Sequence, residues 1–94
     1  MRKAPIPKER IESSSKYQDF GAFSGTIDFS GLTGTPTPVS ANVARGLLVN
    51  GAVTVTDLDG VDVLLPDVGV VRHDIQFRGL KATGRTATVV LVYW

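Results

Sequence analysis

The chain has 94 residues, with 10 basic and 9 acidic side chains, a formal net charge of +1 and no cysteine. That length suits one domain and leaves little for a second. The missing cysteines exclude a disulfide scaffold and a thiolate metal centre, and near-neutrality argues against electrostatic binding of nucleic acid, which needs a clear basic excess. No apolar run approaches the roughly 18 residues that cross a bilayer. Ala4-Pro5-Ile6-Pro7-Lys8 is no signal core, so synthesis in the cytoplasm without a cleaved signal is expected.

Residues 1–20 carry five basic and three acidic side chains, two prolines and Ser13-Ser14-Ser15. They show neither helical nor strand period. They read as an arm, either a free tail or a segment that orders on a partner. Residues 20–38 hold Phe20, Phe23, Ile27 and Phe29 among glycines, with Phe-Ser-Gly repeated at 23 and 29. Two copies are too few for a solenoid. Ile27 and Phe29 alternate with Thr26, Asp28 and Ser30, which predicts a short strand. The expectation is an extended segment that adds to a sheet edge or lies on a neighbouring subunit. Thr35-Pro36-Thr37-Pro38 reads as a linker, because X-Pro units are extended and cannot join a central strand. The predicted organisation is therefore an arm and linker over residues 1–38 and a β domain over 39–94.

In that domain Arg45-Gly-Leu-Leu-Val49 predicts a strand. Asn50-Gly51 then predicts a two-residue hairpin turn, with positive φ at both positions, returning through Ala52-Val-Thr-Val-Thr56. Asp57-Leu-Asp-Gly60 turns again, and Val61, Val63 and Leu65 mark a third strand. Val71, His73, Ile75 and Phe77 alternate with Arg72, Asp74, Gln76 and Arg78, the period of a half-buried strand. Gly84-Arg85 reads as a hairpin tip. The last run has two apolar faces, Val89, Leu91 and Tyr93 on one and Val90, Val92 and Trp94 on the other. Such a strand must be covered twice, so a second copy or a partner is expected over it. Strand signals every eight to twelve residues predict an all-β fold, a small antiparallel β-sandwich or barrel with an extended N-terminal arm.

No residue pattern assembles a catalytic or cofactor site. Residues 79–86 approach a phosphate-binding loop, but arginine stands where lysine is essential and β-branched residues follow instead of a helix. Asp57, Asp59 and Asp62 lack the register and terminal glutamate of a calcium loop. His73 is read as a core or interface histidine. Asp74 points to the opposite face, so it does not orient the ring and is expected to pair with an arginine across the sheet. The residues expected to meet a partner are Phe20, Phe23, Ile27, Phe29, Val90, Val92, Tyr93 and Trp94.

The pattern Arg45-x-Leu47-Leu48-Val49, Val53-x-Val55, Val63-x-Leu65-Pro66-x-Val68, Ile75-x-Phe77 and the terminal Ala82-Thr-Gly-Arg-Thr-Ala-Thr-Val-Val-Leu-Val-Tyr-Trp94 resembles the head-spike base proteins of tailed phages and gene transfer agents. The resemblance spans residues 44–94. Arg85 departs from the usual threonine and Asp74 from the usual proline, and residues 1–38 have no counterpart. It implies a β-rich, homo-oligomeric subunit at the virion surface, held to the major capsid protein and carrying a spike or fibre protein. Within the same class stand a capsid decoration (cement) protein and a small tail or neck protein. From another class stands a carbohydrate-binding host-adhesion module, which would need an exposed aromatic platform. Neither nucleic acid, membrane nor a small-molecule substrate is expected as a partner.

Overall fold

The computed structural model describes residues 16–94. The eight strands are β1 (Tyr17–Asp19), β2 (Thr26–Asp28), β3 (Gly46–Val49), β4 (Val53–Thr56), β5 (Asp62–Leu65), β6 (Val71–His73), β7 (Gly79–Lys81) and β8 (Val90–Tyr93). They form two four-stranded antiparallel sheets, ordered β1-β8-β3-β6 and β2-β7-β4-β5. The expected small all-β sandwich is what forms, its core filled from both inner faces.

The connections differ from the expected hairpins. Only β4 and β5 are consecutive strands that pair with each other. Their turn is built by Asp57, whose Oδ1 accepts from the amides of Asp59 and Val61, both at 2.9 Å. Every other connection carries the chain from one sheet to the other.

Asn50-Gly51 is such a crossing and not a hairpin. Gly51 does not have positive φ. Its missing side chain serves close approach instead. A Cβ there would lie 2.9 Å from both the Cα and the nitrogen of Ala87. Asn50 fastens the same corner. Its Oδ1 accepts from the amides of Thr88 (2.8 Å) and Val89 (3.0 Å), and its Nδ2 donates to Thr88 Oγ1 at 2.8 Å.

Residues 71–77 keep their predicted alternation, with Val71, His73 and Ile75 half-buried and Phe77 buried. They are not one regular strand, however. His73 opposes Leu47, whereas Phe77 opposes Ala44. Four steps on one chain thus match three on the other, which is a bulge. Gly84-Arg85 does lie at a turn, with Arg85 N donating to Ala82 O at 2.9 Å, but it links strands of different sheets.

The division into an arm over 1–38 and a domain over 39–94 is corrected for residues 16–38. These residues supply the edge strands β1 and β2, one to each sheet. Phe20, Phe23, Ile27 and Phe29 are buried in the chain's own core. Phe29 packs against Trp94 (5.1 Å between ring centroids), Phe77 (5.6 Å) and Phe20 (6.1 Å). The proline-rich stretch is pinned as well. Gln18 donates from Nε2 to Thr37 O and accepts at Oε1 from Val39 N, both at 2.8 Å. Residues 1–15 of the expected arm lie outside the described residues.

Two outcomes follow from this packing. A chain reduced to residues 39–94 should lose its β-sheet circular dichroism and its cooperative melt, since it lacks two strands and four large core side chains. Phe29→Ala in the full chain should cost about 3–5 kcal/mol in urea unfolding. A cooperative melt from 39–94 would restore the boundary at residue 38. Gly51→Val should cost about 1–3 kcal/mol through collision with Ala87, and unchanged stability would remove that contact from the account.

Candidate functional site

The residues expected at an interface divide sharply. Val90, Val92 and Trp94 face inward and are buried, as are Phe20, Phe23, Ile27 and Phe29. Seven of the eight are therefore covered by the chain itself and are not open to a partner. The physical reason is that β1 pairs with β8 and β2 with β7, which folds the phenylalanine segment back over the C-terminal strand. Tyr93 is the exception. It stands on the outward face of β8 and is half-buried there.

That outward face carries one part of the exposed apolar surface. Strand pairing sets Tyr17, Tyr93 and Gly46 in one row, and Asp19, Leu91, Leu48 and Arg72 in the next. Directly opposed residues share a face. Tyr17 is 57 % exposed, and its ring lies 6.0 Å from that of Tyr93. Tyr93 can lie flat because its neighbour is Gly46, where a Cβ would come within 2.8 Å of Tyr93 Cε2 and Oη. Arg72 places its guanidinium carbon 4.9 Å from the Tyr93 ring centre, a cation–π contact. Asp74 pairs with Arg72 at 3.3 Å, from just past the end of β6 and not across the sheet as expected. The two tyrosines side by side were missed in the sequence because Tyr17 was placed in an arm and Tyr93 in a buried strand end.

The remaining candidates are structural. Arg85 donates from Nε to Phe23 O at 2.9 Å and from Nη1 to Ala87 O. It also stands 5.8 Å from the Phe23 ring centre. It therefore ties the N-terminal segment to the β7–β8 crossing. His73 is half-buried on β6, and its Nε2 has no hydrogen-bond partner among the described residues. Asp57 is engaged by the amides of its own turn.

Away from the exposed Leu64 on β5, the second sheet presents a polar outer face. A cleft of about 340 Å³ is lined by Thr26, Asp28, Ser30, Thr56, Asp62 and Arg78, with Lys81 at its side. It opens because Gly79, between Asp28 and Thr56 in the row, has no side chain. Asp62 accepts from Lys81 Nζ at 2.8 Å and from Thr56 Oγ1 at 3.1 Å. The hydrogen bond from Lys81 is the largest cause of an Asp62 pKa below its ordinary value. Among the described residues no cluster of His, Cys, Asp or Glu is large enough to hold a metal ion.

Compared with family models, curated proteins and solved structures, the chain matches none.

The Asp62 pair can be titrated. Lys81→Met should move the Asp62 carboxyl upward, toward the ordinary carboxylate range, as followed by carbon NMR. A depressed folded-state pKa stabilises the fold above the ordinary Asp value and loses that contribution as pH falls through the folded value. Because the pair is exposed, the effect on melting should be small. An unmoved Asp62 titration would mean the bridge is not populated in solution.

Proposed function

We propose that the chain is a structural subunit of a phage particle, of the head-spike base kind, that docks on the capsid and supports a spike or fibre. The observation that carries this reading is the outward face of β8. The terminal strand has two apolar faces, and the sandwich covers only the inner one. Val89 is 37 % exposed, and Leu91, Tyr93 and Leu48 continue the patch toward Tyr17. Contiguous apolar surface of this kind marks a contact site. The same strand ends the stretch that resembles the head-spike base proteins. A capsid decoration protein or a small tail or neck protein would use such a face equally.

A second reading rests on a specific observation. Tyr17 and Tyr93 stand side by side on an outward face, their rings 6.0 Å apart and inclined at 50°, with Arg72 beside them, and this favours a carbohydrate-binding adhesion module.

The test is to purify the particles made in the producing cell and to look for the chain by mass spectrometry, then to repeat this with Leu91→Lys. The expected result is that the wild type is a particle component and the folded variant is lost from particles. Absence of the wild-type chain from particles would overturn the reading. Incorporation of Leu91→Lys at wild-type level would move the docking surface off β8. A glycan array answers the second reading. Binding abolished by Tyr17→Ala would favour the adhesion module.

A further inference from the structure

A sandwich has four strand edges, and this one treats them differently. The outer edge of β2 is closed by the chain itself, since Asp28 N donates to Thr33 O at 2.9 Å and Thr33 N returns to Asp28 O at 3.1 Å. Gln18, at the middle of the β1 edge, holds the backbone of Thr37 and Val39. β6 is blunted by the bulge between His73 and Phe77. Closure, covering and bulging are the usual ways in which folded chains keep an edge from pairing with another molecule.

β5 has none of them. Its four residues run in unbroken register with β4, from Val53 opposite Leu65 to Thr56 opposite Asp62. Among the described residues no strand pairs with its other side. It contains no lysine and no bulge, Pro66 stands directly after it, and its one charge, Asp62, is bound to Lys81. The surface around it is apolar. Leu64 and Val61 are each 56 % exposed, Val68 is 65 % and Val70 is 76 %. An open regular edge with unpaired backbone groups and apolar flanks is built to receive another strand.

We infer that the occupant is β5 of a second copy of this chain, paired antiparallel about a two-fold axis through Leu64. Register selects that partner. Directly opposed residues must share a face, and in β5 Val63 and Leu65 face inward while Leu64 faces outward. Setting Leu64 against Leu64 of the second copy puts each Val63 against Leu65 of the other. All three pairs are then apolar and on matching faces. Asp62 falls opposite Pro66 of the second copy, so no like charges meet, and the ladder ends there because proline has no N–H to donate. A net charge of +1 adds little long-range repulsion. The two β2-β7-β4-β5 sheets join into one of eight strands, a size open sheets commonly reach. This dimer does not depend on the virion reading. It uses the β5 edge, whereas capsid docking was assigned to the outer face of β8.

Sedimentation of the full chain over a concentration series tests it. The wild type should be a dimer at micromolar concentration. Leu64→Lys sets two ammonium groups against each other on an exposed side chain, and should weaken association at least tenfold while the melt of the monomer stays unchanged. Leu64→Cys is a second probe, since the chain has no other thiol. Oxidation should cross-link it to a covalent dimer, and Leu91→Cys should not cross-link. A wild type that stays monomeric at high micromolar concentration would overturn the proposal. So would a dimer indifferent to Leu64→Lys, or one disrupted by Leu91→Lys in its place. Loss of the dimer with normal incorporation into particles would sink this inference and leave the virion reading standing.

Discussion

The fold depends on a cluster of aromatic rings drawn from distant parts of the chain. Phe29 touches Phe20, Phe77 and Trp94, so one ring joins the loop after β1, the turn after β2, the bulged run after β6 and the last residue. Phe20 in turn meets Trp94 edge-on at 6.3 Å. Each such ring buries a large apolar area, and each pair adds a directional preference of about 0.5–1.5 kcal/mol. A small domain has few such contacts to lose. Local preference cannot assemble this cluster. It forms only when β1 lies on β8 and β2 on β7, so the ends of the described chain and its middle are ordered together.

How far this was legible in the sequence can be argued from the same residues. The positions of β2 to β6 and of β8 followed from alternation and turn residues, and 71–77 alternates in burial as its pattern demands, whereas β1 and β7 are too short to show a period. Pairing partners did not follow. Asn50-Gly51 is a local signal, and it says only that the chain turns. Whether the flanking strands pair or part into two sheets depends on residues 86–88, which meet that corner from far along the chain. Asn50 and Gly51 were chosen for that meeting, one for its amide and the other for its missing Cβ. The phenylalanines among glycines showed no period because they fill the sandwich from loops and edges, and loops have no period to show. The terminal strand does carry two apolar faces, and the structure covers the inner one, with Val90, Val92 and Trp94 buried. What remained illegible was that the inner cover comes from the same chain.

Crossing between sheets at nearly every connection has a chemical consequence. A hairpin satisfies its own backbone groups through the ladder, whereas a crossing leaves groups at the corner without strand partners, and buried ones must be satisfied. Polar side chains fill that need here. Asp19 Oδ1 accepts from Gly21 N at 2.8 Å and from Val90 N at 3.1 Å. Thr86 Oγ1 accepts from Ala52 N at 2.9 Å, while Ala52 O accepts from the amides of Thr86 and Ala87. Arg85 serves Phe23 O and Ala87 O. Arg85, which stood in a near match to a phosphate-binding loop, and Asn50, which marked a hairpin turn, are thus explained by the corners they close.

The surfaces left over are distinct from one another, and this follows from the same topology. Because β8 is central in one sheet, its outward apolar side chains lie in the middle of a face, beside Tyr17 and Arg72. Because Gly79 interrupts the outward row of the other sheet, that face is a polar cleft with a lysine–aspartate bridge. The long excursion between β2 and β3 closes the β2 edge and packs against Gln18 on β1, and it leaves β5 open. An isolated globule gains nothing from two unlike faces and one bare edge, and an exposed regular edge is a hazard to it. In the assembly proposed above such surfaces would give orientation, since each would meet only the neighbour whose chemistry it matches.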